Sequence, residues 1–66
     1  MNQNHYIEIY MSDDHDNSVY SGNIATVPRV GESIIVTKSS PRFLVLSVTH
    51  DLWNDKVLII VELAKT

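Results

Sequence analysis

Three histidines and eight acidic residues are the groups in this 66-residue chain that could do chemistry. The densest cluster is Asp13-Asp14-His15-Asp16-Asn17. Grouped carboxylate and carbonyl oxygens suit a hard cation such as calcium. This run, however, lacks the glycine that bends a calcium loop and the glutamate that closes one. It reads as a solvated acidic loop, with Asp13, Asp14 and Asp16 offered as a contact for a basic partner surface.

His50 and Asp51 are adjacent, so on a strand their side chains point to opposite faces and form no dyad. The chain has no cysteine and no Gly-x-Ser-x-Gly turn, which leaves no activated nucleophile in view. Zinc needs three or four ligands, and His5, His15 and His50 have no ligand-like spacing. The expectation is no catalytic residue, no metal site and no cofactor. His50 is expected to be a histidine of the core, satisfied by backbone groups or water. Lys38 and Arg42, with Ser39-Ser40 between them, offer a two-charge loop for a phosphate.

The elements that must position these groups are strands. His5 to Met11 alternates, placing Ile7, Ile9 and Met11 on one face. Ser12 to Ser18 is a polar loop, and Val19 to Val27 a weaker strand broken at Gly22-Asn23. Pro28-Arg29-Val30-Gly31 is a turn, Glu32 to Thr37 a short strand, and Lys38 to Pro41 a loop.

Arg42 to Lys65 forms one long hairpin, rich in β-branched residues and turning at Trp53-Asn54-Asp55-Lys56. A two-residue Asn54-Asp55 loop pairs Leu52 with Val57, His50 with Ile59 and Val48 with Val61. One face then carries Leu44, Leu46, Val48, His50, Leu52, Val57, Ile59, Val61 and Leu63, and forms the core. The other carries Phe43, Val45, Trp53, Leu58 and Ile60 among polar neighbours. A bulge near Ser47 would shift the first half of the strand.

Five strands, no helix and turns every 7–12 residues indicate a single all-β domain over residues 1–66, either a small barrel or a sandwich. Such a chain is near the size at which a core alone offsets conformational entropy, on the order of 100 kcal/mol at about 1.5 kcal/mol per residue. Without disulfides, association is an expected source of stability. The polar N-terminus has no signal-peptide pattern, and the longest apolar run is too short for a membrane span, so a soluble, cytoplasmic protein is expected. A net charge of −3 argues against non-specific nucleic-acid binding.

Two segments carry a resemblance. Val27-Pro28-Arg29-Val30-Gly31-Glu32 leads into Ile34-Ile35-Val36, and Phe43-x-Val45-x-x-Val48-x-His50 follows. Over residues 27 to 61 this resembles small uncharacterised proteins of phages and prophages, in which a Pro-x-x-Gly-acidic turn opens a strand. Ser39-Ser40-Pro41 departs from the tight Asn/Gly turn commoner there. The resemblance implies a five-stranded antiparallel SH3-like barrel or meander, with no activity attached.

The function expected is a non-enzymatic protein–protein interaction module, derived from a phage or mobile element. It would bind itself as a homodimer or other homo-oligomer, or a host protein, through Phe43, Val45, Trp53, Leu58 and Ile60. The alternative is a nucleic-acid-binding small barrel that uses Lys38, Arg42 and the tyrosines Tyr6, Tyr10 and Tyr20.

Overall fold

A computed structural model of the chain describes residues 4–64. Five strands follow one another: β1 (His5–Met11), β2 (Asp14–Ile24), β3 (Ser33–Ile35), β4 (Arg42–Asp51) and β5 (Lys56–Leu63). They form one sheet in the order β2-β1-β5-β4-β3, curled into a half-barrel. The all-β class and the long C-terminal hairpin are as the alternating sequence requires.

The sheet is mixed, which corrects the purely antiparallel expectation. β1 runs parallel to β5, with Ile7 beside Val57, Ile9 beside Ile59 and Met11 beside Val61. Apolar side chains at every second position of both strands thereby join into one surface. Ile7, Ile9, Phe43, Val45, Val57, Ile59 and Val61 are the buried residues, and all lie on the inner face of the curl. Among the described residues the strands pair along the sheet order, and the curl brings Tyr20 and Ile24 of β2 and Ile34 of β3 against the same core from its two edges.

The β4–β5 ladder differs from the expected one in two ways. Its turn is Leu52 to Asp55, so Asp51 pairs with Lys56, His50 with Val57 and Val48 with Ile59. Asp51 sets this turn: Oδ1 accepts the Asn54 backbone N–H at 3.1 Å and Oδ2 accepts its side-chain amide at 2.9 Å. Asp55 completes it in the left-handed region at φ 56°. The displacement is two residues, so near the turn each side chain keeps its expected face.

The second difference reverses faces. A bulge at Leu46 lets Ser47 pair with Ile60 while Val45 pairs with Val61. Phe43 and Val45 therefore turn inward, and Leu44 and Leu46 outward. The expected assignment of that half-strand is corrected for all four.

The Ser12 to Ser18 loop is also corrected. Ser12-Asp13 is a tight turn, and β2 begins at Asp14 opposite Met11, with residues 15–17 displaced from the ladder. The Asp14 carboxylate accepts the Asp16 N–H at 3.2 Å and the Asn17 amide at 3.5 Å, which stabilises the displaced stretch locally. Gly22 does not interrupt β2. It lies opposite Ile7, and the Tyr20 ring folds over it so closely that a Cβ there would come 3.0 Å from the Tyr20 Oη.

The turn expected at Pro28–Gly31 forms one residue later, over Arg29–Glu32, and the strand after it is shorter than expected, Ser33–Ile35. The Glu32 N–H donates to the Arg29 carbonyl at 3.0 Å, with Gly31 at φ 93° in the position that needs glycine. The Glu32 carboxylate returns to accept the Arg29 N–H at 2.7 Å. Val45 then receives this segment: its carbonyl accepts from Gly31 and its N–H donates to Glu32, both at 2.9 Å.

Candidate functional surface of the hairpin

The expected interface residues are distributed over three places. Phe43 and Val45 belong to the core, the latter only 1% exposed, and so cannot face a partner. Leu58 and Ile60 lie half-buried on the outer face of β5. Trp53 sits on neither face. It occupies the turn beside Leu52, where the two are 94% and 89% exposed. The Asp51–Asn54 hydrogen bonds that shape the turn fix its backbone directly beneath these two apolar side chains.

Parallel pairing of β1 adds residues to the outer face that sequence reasoning does not place there. Glu8 stands beside Leu58, and Tyr10 beside Ile60. Lys56 Nζ approaches Glu8 Oε1 at 3.2 Å, and the Tyr10 hydroxyl donates to the same oxygen at 3.2 Å. Glu8, Tyr10, His15, Lys56, Leu58 and Ile60 surround a shallow depression of about 290 Å³. The clean alternation of β1 is the available signal that Tyr6, Glu8 and Tyr10 share one face. Which strand that face adjoins is not in the local pattern.

This small polar network shifts two groups, and the turn a third. The hydrogen bond to Glu8 raises the Tyr10 hydroxyl, aided by partial burial and the carboxylate charge. The same carboxylate holds the Lys56 ammonium above its ordinary value against the effect of burial. The Asn54 hydrogen bonds hold the Asp51 carboxyl below the usual range.

His50 points to the inner side, opposite Val57, but is exposed rather than buried, which corrects its expected place in the core. It is the last inward residue of β4 before the turn, where the sheet ends. Asp13, Asp14 and Asp16 are exposed at the β1–β2 end. No group of three or more His, Asp or Glu side chains converges as a metal site among the described residues.

Groups that could contact nucleic acid are dispersed. Tyr6 and Tyr10 belong to the outer face, whereas Tyr20 lies inside at the seam between β2 and β3. In the Lys38 loop the Ser40 hydroxyl accepts the Val36 and Thr37 N–H groups at 3.1 and 3.2 Å, so those amides are already occupied.

No family model, no curated protein and no solved structure matches the chain. No helix among the described residues is long and apolar enough to cross a membrane.

Proposed function

We propose that this chain is a non-enzymatic protein–protein interaction module of the cytoplasm, binding itself or a host protein through its β4–β5 hairpin. The observation that carries the proposal is the one-sided core. Every buried side chain faces inward, while Leu58 and Ile60 on the outer face, and Leu52 and Trp53 at the tip, meet no covering element among the described residues. Apolar residues on the outer face and an exposed tryptophan on a fixed turn each suit a binding hot spot. Phe43 and Val45 serve it indirectly, by holding β4 to the core. The SH3-like, mobile-element origin rests on the resemblance over residues 27 to 61. The half-barrel and the Gly31 turn support it. The parallel β1–β5 ladder sets the chain apart from an all-antiparallel barrel.

The test is Ile60→Asp. The variant should keep its strand signal in circular dichroism and lose self-association, or host-protein capture, measured beside the wild type. A wild type that is monomeric at micromolar concentration and captures no host protein sinks the proposal. So does unfolding of the variant, which would make Ile60 a core residue.

A further inference from the structure

The outward positions of β5 read Lys56, Leu58, Ile60 and Glu62. A cation stands at one end, an anion at the other, and two branched apolar residues lie between. The pattern is complementary to itself when reversed about Ile59. Two sheets stacked by their outer faces must be related by a two-fold axis lying in the plane between them. An axis running along β5 would set Lys56 over Lys56 and Glu62 over Glu62 of the second copy. An axis running across β5 sets Lys56 over Glu62 and Leu58 over Ile60, with both contacts made twice. Charge therefore selects the crossed arrangement.

Neighbouring strands agree with that choice. Reversal about Ile59 sets Asp51 of one copy over Leu44 of the other, at the end of β4 that also carries Arg42. Glu8 and Tyr10 of β1 flank Leu58 and Ile60, and reversal lays Glu8 of one copy towards Tyr10 of the other. Glu8 already holds Lys56 and the Tyr10 hydroxyl, so covering it strands no unpaired charge. The depression beside Leu58 and Ile60, about 290 Å³, gives the opposing side chains somewhere to enter. The outer face is the convex side of the curl, so the contact centres on β5 and on the flanking Glu8 and Tyr10 of β1.

We infer that the occupant of the outer face is a second copy of this chain, stacked across a two-fold axis at Ile59 with its β5 antiparallel. The inference rests on the interaction reading above and gives it a partner and an orientation.

The experiment is a charge-reversal cycle by sedimentation equilibrium at low ionic strength, where rim charges act. Lys56→Glu and Glu62→Lys, each alone, set like charges against each other at both contacts and should weaken the dimer by about tenfold or more. Mixed in equal amounts, the two variants should form a heterodimer. The glutamate introduced in one copy then meets the lysine introduced in the other, and the unchanged Glu62 of the first meets the unchanged Lys56 of the second. Glu62→Lys leaves the Glu8–Lys56 pair intact, so it reads the interface without disturbing that contact. A dimeric wild type whose variants are unaffected, or whose mixture stays dissociated, overturns this arrangement and leaves the interaction reading standing. A wild type that is monomeric but binds a host protein here overturns the second-copy inference. A monomer that binds nothing removes both.

Discussion

The two sides of β5 are built from nearly the same residues and behave differently. Val57, Ile59 and Val61 point inward and are almost wholly removed from water, with Ile59 at 0% exposure. Leu58 and Ile60 point outward, half-covered by Glu8, Tyr10 and Lys56. Side-chain chemistry does not distinguish the sides, since both are branched and apolar. Curvature does. The sheet closes round one face and opens the other, so residues of one type stabilise the fold on one side and remain available for contact on the other. An apolar strand in the centre of a single-layer sheet can thus serve the fold and an interface at alternate positions.

That contrast is sharpest in a pair of truncations. Ile59→Ala should cost about 2–5 kcal/mol, because a fully buried side chain leaves a cavity. In a domain this small, whose core supplies about 3–5 kcal/mol in net stability, the variant should be largely unfolded in circular dichroism. Ile60→Ala should cost below about 1 kcal/mol in a denaturant titration of the monomer, as expected of a partly exposed site. Equal losses at the two positions would erase the difference between the faces.

Removal of Leu46 is expected to have an intermediate effect. Leu46 is the extra residue of the bulge, so its deletion leaves Val45 opposite Val61 and Ser47 opposite Ile60 in a regular ladder. The protein should keep its thermal transition. Deletion of Thr49, which has its own partner in Leu58, uses up the bulge: Val45 stays opposite Val61, but Val48 moves outward opposite Leu58 and Ser47 inward against Ile59. That variant should melt at a lower temperature than the Leu46 deletion, because a polar hydroxyl replaces an apolar contact in the core.

The smallest effect concerns the turn. Asp51 is held below its ordinary value by Asn54, so its contribution is present above that value and disappears as pH falls through the lowered one. Asp51→Ala should therefore be less stable than wild type at neutral pH and match it in strong acid, by thermal melts across that range. A pH-independent difference would mean the carboxylate charge does nothing at the turn.

The degree to which the sequence reveals this arrangement varies along the chain for physical reasons. Ile7 and Ile9 alternate with Tyr6, Glu8 and Tyr10 and declare their face at once, whereas in Val57 to Val61 only the flanking Lys56 and Glu62 mark the outward positions. Phe43-Leu44-Val45-Leu46 has no polar residue to mark an outward position, so both parities are equally apolar and the bulge decides between them. A loop placed one residue late draws Trp53 onto a face; the anchor is Asp51, whose carboxylate reaches Asn54 across the turn. The parallel β1–β5 pairing joins residues 50 positions apart, and no local periodicity records it.

That pairing also orders events in time. β5 lies between two halves, β2-β1 on one side and β4-β3 on the other, which share no ladder of their own. Because β5 follows both in the chain, a growing polypeptide can form two separate hairpins but cannot join them until residues 56–63 have emerged. Until then the inner faces of both halves stay wet and their edges unpaired, open to association with other chains. The strand that completes the core is also the one that ends this vulnerable interval.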